Sequence, residues 1–464
     1  MQPADGLCNA REMTTDGSTN STKTNRKNGS RHPRECLEHV PLFRWLKELG
    51  WRNETALRIA TFERTGKGLY SRRSIAGGDC IIALPFEALI GWNTIEKDEE
   101  FRAMFNGETI GQREASEKIP FQTLLAFYLC AQEHKKNPRT EAYLQALPKT
   151  FSNPYFCSKA ELLHFPEVLL RTMVEQNQQI NVAFERIVTA LHSQWQGVFE
   201  LERFKWAFFA VNTRSVYVDP EVTRMINSFL PAGTLFEDLL SDDPSMALAP
   251  LLDFFNHHAR TQTKSGLSLT TRQVQHRLSK GKPLDLWYTL RTHAAHPAGR
   301  QIFIDYGTHN NTSLLLEYGF TVPDNPDDFF ELTLDDINAF IKHDPELRCL
   351  RLPREKYRFI GGHRLAEQLF FVEDDLLSHN LSVCLTILFV EQNVHHLRAI
   401  AFASTPPLGP IRAIALRLLD FVALQMNRSI AGLSSLASLT PAAIAYREYG
   451  WEGVRFLNKI KSKF

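Results

Sequence analysis

Two β-textured stretches, residues 55–95 and 245–325, are separated by residues 96–244, which read as helical. The first holds "LRIATFERTGKGLYSRRSIAGGDCIIALPFEALIGW", short apolar runs punctuated by Gly66, Gly68, Gly77 and Gly78, the texture of short strands and tight turns. The second holds "MALAPLLDFFNHH", "HRLSKGKPLDLWYTLRTHA" and "RQIFIDYG". Neither stretch has enough strands to close a sheet of its own, and open edges are a liability. A chain built this way folds as one split β-rich domain carrying a large helical insert.

The remaining segments fit around that frame. "PLFRWLKELGW" spaces Leu42, Trp45, Leu46 and Leu49 as one helix face. In the insert, "FQTLLAFYLCAQEH" and "VAFERIVTALHSQW" repeat apolar residues at three and four, and Pro154 and Pro166 mark breaks. "RFKWAFFAVNTRSVYV" starts as helix and ends as strand. After "LEYGFTVPDNPDD" the chain reads as helix again, in "HRLAEQLFFVEDDLLSHNLSVCLTILFVEQNV" and "PIRAIALRLLDFVALQ". The fold class is α+β. A polar, disordered N-terminal tail covers 1–36, the first part of the split domain 37–95, the insert 96–244 and the second part 245–325. An all-helical C-terminal domain covers 326–464.

Composition narrows the function. Residues 1–36 have too few large apolar side chains to offset chain entropy. Their basic run "KTNRKNGSRHPR" is a solvated tail or a nuclear address. A net charge of +1 gives no overall field toward nucleic acid or membrane. No apolar run approaches the roughly 18 residues a bilayer span needs, and the first residues lack a signal-peptide apolar core. The seven cysteines, Cys8, Cys36, Cys80, Cys130, Cys157, Cys349 and Cys384, form no C-x-x-C pair. That argues against a zinc cluster or a disulfide framework and for a reducing compartment. No bound metal is expected, because His257 and His258 are adjacent and lack a third ligand at regular spacing.

Four short motifs carry chemistry. In "TGKGLYS", Gly66 and Gly68 permit a tight turn or a close backbone approach to a ligand. In "VNTRSVYV", Arg214 follows a helix end, where it caps carbonyls or grips a carboxylate by its fork. "LLDFFNHH" carries Asp253, Asn256 and His257 out of an apolar segment together, which a buried element gains from only if those groups meet partners there. "RQIFIDYGTHNNTSLLLEYGF" runs from a buried strand to Tyr306 at its end, with Tyr318 and Phe320 following.

In this order the motifs resemble the SET-domain protein methyltransferases, in particular the subfamily of the plant Rubisco lysine methyltransferase. The likeness covers residues 40–330 by motif and the C-terminal domain by helical texture. It implies a pseudoknot-like split SET domain in which the "NH" and "YG" stretches cross. It also implies S-adenosyl-L-methionine held by Gly66, Lys67, Gly68, Arg214, Asn256, His257 and Phe320. Arg214 matches the arginine near the cofactor carboxylate, and Phe320 the aromatic against the adenine. Tyr306 matches the tyrosine at the methyl-transfer point, Asp253 a residue lining the substrate channel, and Tyr318 a pocket tyrosine of the lysine-modifying relatives. Asp305 and Arg300 depart from the usual pattern without removing a catalytic group.

The activity so implied is protein-lysine N-methylation of a histone or other protein, by a monomer in the nucleus, the cytoplasm or both. The resemblance implies a protein substrate and no direct contact with nucleic acid or membrane. Two alternatives stand beside it. One is a non-catalytic SET-fold module that binds a protein partner. The other is a protein-histidine methyltransferase, although Leu252 and Tyr318 stand where the histidine-modifying relative differs, and both favour lysine.

Overall fold

The computed structural model describes residues 33–230, 233–402 and 404–464. The expected tail and its basic run lie outside the described residues except for their last positions. Those positions are structured: Arg34–Glu35 form strand β1, antiparallel to β2 (Leu57–Phe62). Glu35 holds this start in place, accepting from the Tyr70 hydroxyl at 2.5 Å and from Arg72 Nε at 2.9 Å. Ordered chain therefore begins before Leu37.

Strand β3 (Gly66–Ser71) completes a hairpin with β2, turning at Glu63–Thr65. Then come β4 (Cys80–Pro85) and β5 (Ile90–Gly91). The insert carries β6 (Ser215–Tyr217) and then helix Pro220–Asn227; after it follow β7 (Met246–Leu248), β8 (Asn256–His257), β9 (Thr263–Leu267), β10 (Trp287–Thr292) and β11 (Phe303–Ile304). The two β-rich stretches share sheets. β4 pairs with β10 in the order β4–β10–β9, and β5 pairs with β7 in the order β5–β7–β6. The first hairpin joins the later chain through the Tyr70–Gln301 bridge and the Ile302 N–H to Leu69 carbonyl bond at 2.8 Å. Each half thus supplies the edge partner the other lacks.

One reading of the second stretch needs correction. "HRLSK" is not strand: Thr271–Ser279 is a helix, started by a reciprocal capping box between Thr270 and Gln273. The cap decided the local structure, and only Val274 of that helix is buried.

The insert centres on helix Phe121–Lys135, buried from Thr123 to Gln132 on all sides. An apolar helix without a polar face belongs inside, and here it packs against helix Leu201–Arg214. The C-terminal part has the expected helices, among them Leu408–Ser434 and Pro441–Lys463. It is not all helix, however. β12 (Phe330–Leu332), β13 (Leu369–Val372) and β14 (Leu376–Leu377) form a small antiparallel sheet within "HRLAEQLFFVEDDLL" and its partner. Gln368 and Leu376 stand at φ +56° and +65°, breaking the helical path on both sides of the aromatic pair Phe370–Phe371. A separate apolar cluster joins this part to the rest, with Phe165 and Leu169 of the insert meeting Leu315, Leu316 and Tyr446. Phe165 and Tyr446 stack with ring centroids 3.7 Å apart.

Candidate active site

The stretch "LLDFFNHH" leaves β7 through a strained turn. Leu251 is wholly buried at φ +74°, ψ −43°, a cost of about 1–3 kcal/mol that surrounding contacts must hold. The Asp253 N–H to Ala249 carbonyl bond at 3.1 Å and the Phe254 N–H to Leu251 carbonyl bond at 3.1 Å do so. Beyond the turn, β8 pairs in parallel with β11, Asn256 opposite Phe303 and His257 opposite Ile304. Parallel pairing of two such short strands brings the "NH" and "YG" stretches side by side.

That crossing organises the site. Asn256 Nδ2 donates to the carbonyls of Lys67 at 3.1 Å and Thr65 at 3.4 Å, clasping the Gly66–Gly68 hairpin from 190 residues away in sequence. His257 Nδ1 accepts the Tyr306 N–H at 3.1 Å, so the ring is neutral there. Burial pushes its pKa down, and Asp305, 3.9 Å from Nδ1, opposes that only in part. The Tyr306 hydroxyl donates to the Phe255 carbonyl at 2.7 Å, and burial pushes its pKa far up, so it stays protonated. The rings gather around it: His257 at 5.1 Å, Tyr318 at 5.2 Å and Phe320 at 6.4 Å between centroids.

Tyr318 is placed by its own motif and by one other. It ends a wide turn, Leu314–Tyr318, that Gly319 terminates at φ +77°. No other residue fits at 319, because a Cβ there would lie 2.7 Å from the backbone of both Ser152 and Asn153. Asn212 of "NTR" donates to the Glu317 carboxylate at 2.5 Å and carbonyl at 3.2 Å, and is itself held by Gln122 Nε2 at 3.1 Å. Burial, with Glu317 adding, raises the Tyr318 pKa.

Arg214, the last residue of its helix, reaches the same place. Its Nη1 donates to the Asp253 carbonyl at 3.0 Å and to Asp253 Oδ2 at 3.3 Å, and its guanidinium lies 5.6 Å over the Phe254 ring. On the other face of the cluster His39 sits edge-on to Phe254 at 5.1 Å and meets Lys67 Nζ at 3.0 Å. Arg214 and the glycine hairpin are therefore linked through one ring.

The Asp253 side chain points inward, toward Arg214. Its carboxylate is fully buried, bonded to Arg214 and to the Tyr143 hydroxyl at 3.0 Å. Desolvation raises its pKa, with Arg214 and Tyr143 pulling the other way. Among the described residues no three His, Cys, Asp or Glu side chains converge as a metal would need. His258 turns away, its Nδ1 accepting the Arg260 N–H at 3.2 Å. Sequence reasoning missed His39, Tyr143, Gln122 and Asn212. The first three lie outside every motif, and only Asn212, two residues before Arg214, carried a signal.

The donor set suits S-adenosyl-L-methionine. Arg214 Nε is buried without a protein partner, as a fork awaiting a carboxylate would be. The glycine hairpin offers backbone, and the rings offer apolar faces.

No family model matches the chain. Among curated proteins it is similar to SET domain-containing protein 4 of Artemia parthenogenetica, 26% identical over 341 residues, covering 73% of this chain and 75% of that one. The mouse protein of the same name is 28% identical over 330 residues, 68% of this chain and 66% of its own length. Among solved structures the SET domain of LSMT bound to lysine and AdoHcy aligns with a TM-score of 0.58 and 17% identity, over 92% of this chain and 90% of that chain. By fold the chain is thus built as that SET domain is, and by sequence it is similar, over about 70% of its length, to SET domain-containing protein 4.

Proposed function

We propose that this chain is an S-adenosyl-L-methionine-dependent protein-lysine N-methyltransferase whose methyl-transfer point is Tyr306. The observation that carries this reading is the linkage of four distant segments around Tyr306. Asn256 clasps the Gly66–Gly68 hairpin, β8 and β11 bring His257 to Tyr306, and Asn212 sets Tyr318 beside both. The lysine-bound and AdoHcy-bound states of the similar LSMT domain support it.

When bound, S-adenosyl-L-methionine supplies an electrophilic methyl group on a sulfonium. The protein's part is orientation, desolvation and placed oxygen dipoles. The attacking lysine must be neutral, and its ordinary pKa is about 10.4. Apolar tyrosine walls from Tyr306 and Tyr318 disfavour the ammonium and lower that value. Tyr306 is not the base. Its proton is committed to the Phe255 carbonyl and its pKa is raised, so its oxygen only accepts. It can thus align an amine N–H or a polarised methyl C–H. The Leu252 side chain is buried, and Tyr318 in the aromatic group favours lysine over histidine. Work in the nucleus or cytoplasm on a protein substrate completes the reading.

The test is Tyr306→Phe. Single-turnover transfer of a labelled methyl group to protein in a cell extract should slow by about 10²–10³-fold, with cofactor affinity near wild type and stability lower only by the lost bond to the Phe255 carbonyl, about 1–3 kcal/mol. Near-normal turnover in a well-folded variant would make Tyr306 a packed aromatic and leave the binding-module reading in its place.

A further inference from the structure

The insert reaches the site through a residue no motif contains. Tyr143 lies on helix Pro138–Ala146, which Asn137 caps, and it has no exposed surface. Its hydroxyl donates to Asp253 Oδ2, the oxygen that also faces Arg214 Nη1. Asp253 Oδ1 and Arg214 Nε are both buried without a protein partner. Tyr143 and Asp253 are thus too enclosed to meet a protein substrate. They can, however, act on the guanidinium between them and the site.

We propose that Tyr143 and Asp253 are positioning residues that hold Arg214 by its Nη1 for the carboxylate of S-adenosyl-L-methionine, so that the helical insert builds part of the cofactor site. The proposal rests on the reading of Arg214 given above. The physical case has three steps. A long, flexible cation gains affinity for a ligand when it is fixed before the ligand arrives. Two acceptors on Asp253, its carbonyl and Oδ2, fix Nη1, and the Phe254 ring supports the guanidinium face. A buried carboxylate holding a cation is costly unless further hydrogen bonds satisfy it, and the Tyr143 phenol supplies one of them, to Oδ2. Burial alone would favour the neutral acid at Asp253, and both partners oppose it.

The experiment compares two ligands on the full chain by calorimetry. S-adenosylhomocysteine carries the carboxylate; 5′-methylthioadenosine keeps the adenosine and thioether but lacks the amino-acid part. Tyr143→Phe should weaken S-adenosylhomocysteine by about three- to tenfold and leave 5′-methylthioadenosine unchanged. Arg214→Ala should weaken it further, and Tyr143→Phe added to Arg214→Ala should cost nothing more. Equal loss for both ligands, additive losses, or no loss in Tyr143→Phe would overturn the positioning role while leaving the cofactor reading intact. Unchanged affinity in Arg214→Ala would instead remove Arg214 from the cofactor site, and the proposal with it. Should Tyr143→Phe fail to fold, Asp253→Asn carries the same comparison with the same outcomes.

Discussion

Gly68→Ala is the sharpest test of the crossing that builds the site. Gly68 lies in β3 with no positive φ, so alanine brings no backbone strain. The cost is contact. A Cβ at 68 would lie 2.5 Å from Gln301 Nε2, 2.8 Å from Asn256 Nδ2 and 3.2 Å from the Phe62 ring. Carbon and nitrogen normally stand well over 3 Å apart, so Asn256 must withdraw. Its bonds to the Lys67 and Thr65 carbonyls, at 3.1 and 3.4 Å, then lengthen or break. Each is worth about 0.5–1.5 kcal/mol, so the hairpin and the knot should part company by about 1–3 kcal/mol. Calorimetry should therefore show S-adenosylhomocysteine binding about 5- to 150-fold weaker. Gly66→Ala is the matched control. It has open space around it but φ +66°, so it should cost about 1 kcal/mol of stability through the turn with a smaller effect on binding. Wild-type affinity in a folded Gly68→Ala protein would refute the claim that the Asn256 clasp shapes the cofactor site.

The other predictions follow from groups that burial has shifted or trapped. His39, His257 and His296 all have pKa values lowered by burial from the ordinary 6.5. The unfolded chain therefore takes up protons at these positions before the folded one, and stability should fall as pH drops below about 6.5, by up to about 1.4 kcal/mol per pH unit for each group that stays neutral. Thermal melts from pH 7.5 to 5.5 check this; a melting temperature flat across that range would contradict it, and His257→Asn should flatten the slope. In the C-terminal part, Lys356 is buried and its Nζ donates to the carbonyls of Leu388 at 3.2 Å and Glu391 at 2.6 Å. Lys356→Met should cost about 1–3 kcal/mol by orphaning those carbonyls, visible as a lower melting temperature with unchanged S-adenosylhomocysteine affinity; weakened binding would show the two parts more tightly coupled than their packing suggests.

Patterns that act locally were legible in the sequence, and partners that act across the fold were not. The β-texture of residues 55–95 and 245–325 forecast strands, and helix Leu201–Arg214 giving way to β6 follows the change from "KWAFFAV" to "SVYV". The motif residues Gly66–Gly68, Asn256, His257, Tyr306, Tyr318 and Phe320 stand together in the structure, each marked in sequence by its own short motif but joined by contacts across the fold. β13 was lost to a helical reading because "LFFV" is apolar in either state, and only the positive φ at Gln368 and Leu376 separates them. The partners of Asp253 were not legible, for a deeper reason. An acidic residue beside a site looks the same in sequence whether it faces substrate or lies behind an arginine. What decides between them is Tyr143, 110 positions away on the helical insert. If that phenol is what keeps Arg214 in place, the insert is not a passenger between two halves of a catalytic domain. It completes them, and the long detour the chain takes between β5 and β7 is then part of how the site is made.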